Sequence, residues 1–294
     1  MSAGWNWYVI IFTIANILAC FWLIRYTSSF KAEQKEKGET TGHVWDGDLQ
    51  EYSNPLPRWW LWLFYITIVF ALVYLALFPG LGNFKGVFGW SQVDQYENEM
   101  SAANLKYAPI FDAYAEKPIP ELAQDSEAME SGQRLFLNYC ATCHGSAAQG
   151  AKGFPNLADN NWIWGGSPEA IKTSILDGRN GVMPNMGVNS EDAEKLTAYV
   201  LSLSGSASDN SLVDAGKQLF TEKGCAGCHG MDGKGNMQLG FPNLTDDGWI
   251  YGNSPAAIKE TIMNGRNGVM PAHREFLGEE KSHLLAAYVY SLSD

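Results

Sequence analysis

Two stretches of the chain are apolar from end to end. Gly4–Ile24 and Trp59–Phe78 hold no charged residue, and each reaches the about 20 residues a helix needs to cross a bilayer's hydrocarbon. Trp5, Trp7 and Tyr8 open the first run and Trp59, Trp60 and Trp62 the second, as in the aromatic belts of membrane interfaces. The first run lacks the basic leader and small-residue cleavage pattern of a secretory signal. Asn16 and Cys20 within it read as polar residues tolerated in a helix bundle. Arg25, Lys31, Lys35, Lys37 and Arg58 all fall between the two runs, and no Lys or Arg precedes the first. That asymmetry predicts a transmembrane hairpin over 1–88, with loop 26–58 cytoplasmic and both termini outside.

After residue 125 the pattern becomes helical and repeats itself. "FPNL" stands at Phe154–Leu157 and again at Phe241–Leu244. "WIWGGSPEAIKTSILDGRNGVMP" from Trp162 returns as "WIYGNSPAAIKETIMNGRNGVMP" from Trp249, and "AYVLSLS" at Ala198 returns as "AYVYSLS" at Ala287. Two small domains follow, 125–205 and 209–294, joined at the Gly/Ser/Asp/Asn stretch Ser204–Ser211, with 89–124 as the linker from the membrane. Each copy predicts a leading helix (Leu135 and Phe136; Leu219 and Phe220), a Gly-rich loop and two more helices. Ser167 with Pro168, and Ser254 with Pro255, start the middle one, and Gly178 and Gly265 stop it. Leu196, Val200 and Leu203 mark the last helix of the first copy. No strand alternation is evident, so the fold class is all-α. A core of three or four short helices in so small a domain needs a metal or cofactor to complete it.

Charge narrows the partners. The formal net charge is −12, which argues against nucleic acid. Between 125 and 294, 20 Asp and Glu face 12 Lys and Arg, a net of −8.

Four of the five cysteines lie in two strings, "CATCHG" at Cys140–Gly145 and "CAGCHG" at Cys225–Gly230. C-x-x-C-H is the spacing of covalent haem c attachment: two thiols for the two vinyl groups, and an adjacent imidazole for the iron. Cys140 and Cys143 with His144, and Cys225 and Cys228 with His229, are therefore the expected haem c sites. A redox C-x-x-C needs a β-α-β context, and a zinc site needs a second ligand pair; both are lacking. The repeated "GRNGVMP" offers Met183 and Met270 as sixth ligands, which would close the iron and raise its potential. The competing role for a methionine is core filling. Met186 rivals Met183 in the first copy, where the second copy has His273 at the matching place. The sequence leaves open whether each Met serves the haem of its own copy or of the other. Arg179 and Arg266 are equally compatible with haem propionates and with a solvated surface. His43 and His283 have no repeat partner and read as ordinary polar residues. Haem c is attached outside the bacterial cytoplasm, so the C-terminal domains should be periplasmic, in agreement with the charge-based topology.

Ahead of the second span, "DGDLQEYSNPLPRWW" at Asp46–Trp60 resembles the N-terminal signature of the diheme, membrane-anchored subunit P of cbb3-type cytochrome c oxidases. Two spans, a linker and two C-x-x-C-H domains match that family over the whole chain, and "NPLPRWW" (Asn54–Trp60) is far more specific than C-x-x-C-H. The resemblance implies two tandem class I cytochrome c domains in the bacterial inner membrane's periplasmic face. It implies electrons received from soluble or anchored cytochromes c, passed to a monohaem subunit O, and delivered to the haem–copper subunit N, which reduces O₂ and pumps protons. No O₂-reducing site is expected in this chain itself. A peroxidase reading meets the same Met loop in both copies and no recognisable acid–base pair. An anchored diheme cytochrome serving a periplasmic dehydrogenase fits the haem domains equally well, and only the "NPLPRWW" segment and the two-span hairpin argue against it.

Overall fold

The computed structural model describes residues 1–29, 40–52, 57–206 and 210–293. Lys31, Lys35 and Lys37, residues 54–56 of the "NPLPRWW" string, and residues 207–209 of the Ser204–Ser211 joint lie outside the described residues. The chain divides into two compact units, Met1–Asn104 and Leu105–Asp294.

In the first unit, α1 (Ala3–Ser29) and α2 (Arg58–Leu77) cover both uncharged runs, and α1 extends past Ile24. Between them, β1 (Thr40–Trp45) and β2 (Leu49–Tyr52) pair antiparallel. Three residues, Asp46, Gly47 and Asp48, connect them, with Asp46 (φ 48°) and Gly47 (φ 91°) in the left-handed region, which Gly adopts freely and Asp tolerates better than most residues. Ile24 is the one buried apolar residue of α1, and α2 has none. Apolar surface open around a whole helix is costly in water, and both helices are candidate membrane spans by length and composition. Phe21 of α1 and Tyr65 of α2 are in ring contact.

The stretch expected as a linker is helical. It holds α3 (Gln92–Ala115) and the single turn α4 (Ile119–Leu122). Phe111 and Tyr114 of α3, with Ile119 and Leu122, join an apolar core.

The repeats then follow in order: α5 (Ser126–Tyr139), α6 (Ala141–His144), α7 (Pro168–Asp177), β3 (Arg179–Met183), α8 (Ser190–Leu203), α9 (Asn210–Glu222), α10 (Cys225–His229), α11 (Pro255–Asn264), β4 (Arg266–Met270) and α12 (Arg274–Tyr290). Local chemistry sets the ends. Ser167 Oγ accepts the Ala170 N–H and Ser254 Oγ the Ala257 N–H, both at 3.2 Å, and Pro168 and Pro255 take the first helical positions. Gly178 and Gly265 end the two helices at φ 70° and 71°. The second unit is mostly helical, but the two "RNGVM" segments are strands. β3 and β4 pair antiparallel about Gly181 opposite Gly268.

The repeats are not self-contained. The first core joins Phe136 of α5, Ile171 and Ile175 of α7, and Leu284, Leu285 and Tyr288 of α12. The second joins Leu196, Tyr199 and Val200 of α8 with Phe220 of α9 and Ile258 and Ile262 of α11. Each repeat thus lends its last helix to the other. The crossings match: Phe136 meets Tyr288 at a ring separation of 5.4 Å, and Phe220 meets Tyr199 at 5.2 Å. Gly132 and Gly216 let the helices approach there, since a Cβ on either would stand 2.8 Å from the Tyr288 or Tyr199 Cβ. Lys172 with Glu279, and Lys259 with Glu194, add an ion pair across each exchange, though exposed pairs of this kind contribute little.

Candidate haem sites

Each C-x-x-C-H string forms one helical turn. The Cys143 and His144 amides donate to the Cys140 carbonyl at 3.1 and 3.0 Å, which sets two thiols and an imidazole on one face, three and four positions apart. In α10 the Gly227 amide closes on Gly224 and the Gly230 amide on Ala226, both at 3.0 Å. The four thiols are free; Cys140 and Cys225 are half-buried, Cys143 and Cys228 exposed. Burial pushes the Cys140 thiol up to about 11, with Cys143 adding a smaller push, and burial also raises Cys225. A reactive redox dithiol needs the opposite shift.

Both imidazoles are fixed the same way. His144 Nδ1 lies 3.0 Å from the Pro155 carbonyl, and His229 Nδ1 lies 3.0 Å from the Pro242 carbonyl. A carbonyl only accepts, so Nδ1 carries the proton and Nε2 keeps its lone pair for a metal. Burial lowers both imidazoles below their ordinary value, against a smaller opposite push from the carbonyl. Both rings are therefore neutral near pH 7, as ligands must be. Pro155 and Pro242 are site residues that C-x-x-C-H does not reveal. The signal for them was the repeated "FPNL", unchanged although the loop before it differs in length.

The methionines sit across the exchange. Met270 packs against the first core, as do Cys140, Ala141, Leu157 and Trp162. The Met270 carbonyl lies 2.4 Å from where a Cβ of Gly178 would stand, and the Met183 carbonyl lies equally close to that position on Gly265. In the ladder, Met270 is opposite Arg179 and Met183 opposite Arg266. Met186 also lies on the second repeat's side: its Cε is 3.9 Å from the Cβ position of Gly224, next to Cys225. His273 donates its backbone N–H to Ile175 at 3.1 Å, so it too belongs to the first repeat's pocket.

The arginines stay at home. Arg179 stacks over Trp164 at 4.7 Å, and its Nε donates to Ser174 Oγ at 2.8 Å. Arg266 stacks over Tyr251 at 4.4 Å, and its Nε donates to Thr261 Oγ1 at 2.9 Å. Arg266 Nη2 and His273 Nδ1 are buried with no partner. His283 Nε2 is 2.9 Å from the Lys117 carbonyl, and His43 is exposed beside Trp45. Neither belongs to a site.

This donor set fits a haem. Among the described residues no group of three or more His, Cys, Asp or Glu is placed to hold a metal ion directly. What the pockets offer is one imidazole, a thioether strand, one half-buried thiol and one exposed thiol each, and an iron that brings four porphyrin nitrogens lacks only the axial pair. The orphaned Arg266 Nη2 is a buried donor of the kind a propionate satisfies.

Comparison with known proteins agrees. The family model described as the N-terminal domain of cytochrome oxidase-cbb3, FixP, matches residues 37–85. The model for cytochrome c oxidase, cbb3-type, subunit III, matches twice, at 127–200 and 211–289. The cbb3-type cytochrome c oxidase subunit CcoP of Rubrivivax gelatinosus is 44% identical over 99% of this chain and 96% of its own length. The CcoP of Azospirillum sp. (strain B510) is 39% identical over 86% and 95%, and the subunit FixP of Sinorhizobium medicae (strain WSM419) 39% over 86% and 94%. Similarity at that level over almost the whole length, with both parts of the chain matched in order, places it in a family: the chain belongs to the CcoP/FixP subunits of cbb3-type cytochrome c oxidase.

Proposed function

We propose that the chain is a diheme c electron carrier of a cbb3-type terminal oxidase. It takes electrons from a soluble or anchored cytochrome c and passes them through a monohaem subunit O toward the haem–copper subunit N. The observation that carries this reading is the duplicated pocket, in which a proline carbonyl fixes the tautomer of a buried histidine next to two free thiols.

Haem bound there would supply a one-electron carrier whose potential a thioether ligand raises. Cys140 and Cys143 hold the first haem covalently, and Cys225 and Cys228 the second. His144 and His229 each present Nε2 to an iron. The sixth ligands are exchanged, with Met270 serving the first string and Met183 the second. Met183 is preferred to Met186 because it alone repeats the register of Met270, opposite an arginine of the pocket it serves. With a histidine and a methionine both holding the iron, each haem would have no place for O₂ or peroxide, which suits electron transfer rather than oxygen chemistry.

The domain limits follow the repeats: class I cytochrome c domains at 125–205 and 209–294, preceded by a segment at 89–124. The hairpin 1–88 anchors them in the bacterial inner membrane, with 26–58 cytoplasmic and the haem domains periplasmic. The apolar, unburied surfaces of α1 and α2 support the anchor, and Arg25 and Arg58 flanking the loop support its side.

Purification of the complex through a tag on this chain tests the proposal. Two covalent haems c per chain, retained on a denaturing gel, together with haem b and copper in the complex, are expected. One haem c per chain, or a complex without haem b and copper, overturns it.

A further inference from the structure

The two arginine pockets are built alike but wired differently. In both, the guanidinium lies over an aromatic ring and Nε donates to a hydroxyl on the preceding helix. The position next to that hydroxyl is Thr173 in the first repeat and Glu260 in the second. Glu260 Oε1 accepts from Arg266 Nη1 at 3.0 Å. Arg179 instead gives Nη2 to the Ala170 carbonyl at 3.3 Å, and no carboxylate pairs with it among the described residues. The Arg266 hydrogen bond and charge, and then Lys152 of the first repeat, hold the Glu260 carboxyl below its usual range, so it is ionised at neutral pH.

Arg266 therefore has two jobs. Nε and Nη1 are spent on Thr261 and Glu260, while Nη2 is buried and aimed at an acceptor the protein does not provide. The strand that carries it is paired with Met183, on the second haem's side. We propose that Arg266 Nη2 holds a carboxylate of the haem attached at Cys225 and Cys228, and that Glu260 lowers that haem's reduction potential below the potential of the haem at Cys140 and Cys143. The proposal rests on the two-haem reading above.

The physics is that of one added electron. Reduction places one more negative charge on the iron–porphyrin unit, which a nearby cation favours and a nearby anion opposes. Arg179 acts on the first haem with no carboxylate on its guanidinium. Arg266 acts on the second with Glu260 opposing it. An electron shared between the haems then resides mostly on the first, so transfer within the chain runs from the second repeat to the first.

The test is a spectroelectrochemical titration of the purified complex, resolving both c haems. Glu260→Gln should raise the lower of the two potentials and leave the higher in place. The haem-to-haem sharing ratio should change about three- to tenfold, tenfold being 59 mV for one electron. Thr173→Glu, which installs the missing carboxylate, should lower the higher potential and narrow the gap from the other side. Unchanged potentials in Glu260→Gln, or movement of the higher one, overturn the proposal while the count of two haems c stands. A count other than two overturns the underlying reading, and the proposal with it.

Discussion

Arg179 and Met270 stand opposite each other across the β3–β4 ladder, one from each repeat. Arg179 is tied to its own repeat through Ser174 and Trp164, while Met270 has crossed to pack on that same repeat's core. Met183 and Arg266 stand in the mirrored relation. A five-residue strand thus serves two pockets, its first residue in one and its last in the other. The family assignment says nothing of this arrangement, and it changes what variants should do.

Met270→Ala should open the iron attached at Cys140 and Cys143, and Met183→Ala the iron at Cys225 and Cys228. Single-haem chains make the assignment. In a chain with Cys225 and Cys228 replaced by Ala, Met270→Ala should abolish the weak near-infrared band of a methionine–ferric iron bond, and Met183→Ala should leave it. The reverse result would restore ligation within each repeat. Survival of the band in Met183→Ala, with its loss in Met186→Ala in the complementary single-haem chain, would move the second ligand to Met186.

Deleting 274–293 should damage the first haem pocket and spare the second. α12 covers Phe136 and Leu122 of the first core, whereas the second core is assembled from α8, α9 and α11. The deletion should halve the near-infrared band, and protease should cut within 126–178 before it cuts within 190–264. Loss confined to the second pocket would contradict the exchange.

Gly216→Ala should destabilise the second unit more than Gly132→Ala does, although alanine is the better helix former by about 1 kcal/mol. A Cβ at Gly216 would stand 2.0 Å from the Lys195 carbonyl oxygen, a backbone atom, while the nearest atom at Gly132 is the Tyr288 Cβ at 2.8 Å. Overpacking of this kind costs on the order of 1–3 kcal/mol, readable as a lower urea midpoint at unchanged slope. An unaltered midpoint in both variants would mean the helices have room to part.

Reduction by a basic donor cytochrome should slow steeply as salt is added. The net of −8 between 125 and 294 steers such a partner at long range and is screened beyond about 8 Å at physiological ionic strength. Stopped-flow second-order rates measure it, and maximal turnover should respond less. A flat dependence would leave the acidic surface as solvation alone.

Much of the site was legible before the fold was known. C-x-x-C-H, the duplicated "GRNGVMP" and the Ser-Pro helix starts each act through local chemistry, so their spacing fixes their geometry. The exchange of α8 and α12 was not read, because helical periodicity tells which face of a helix is apolar and not which neighbour covers it. A clue was present: α8 ends at Leu203 and α9 begins at Asn210, a connection short enough to fold the two helices back on each other. The β1–β2 hairpin was missed for a simpler reason. Its Asp-Gly turn lies in a loop whose strands are exposed on both faces, so no alternation marks them.

The crossed helices also impose an order in time. The contacts of α8, α9 and α11 lie within one contiguous stretch, Ser190–Asn264, but α5 at Ser126–Tyr139 finds its partner only in a helix beginning at Arg274. Closing the longer loop costs more entropy, and domains begin to form as the chain emerges. The pocket encoded later is therefore the first to close, while the apolar face of Phe136 and Leu122 waits uncovered for the last helix to arrive. That interval is when the chain is most open to misassociation, and its length is set by how fast residues 265–290 follow.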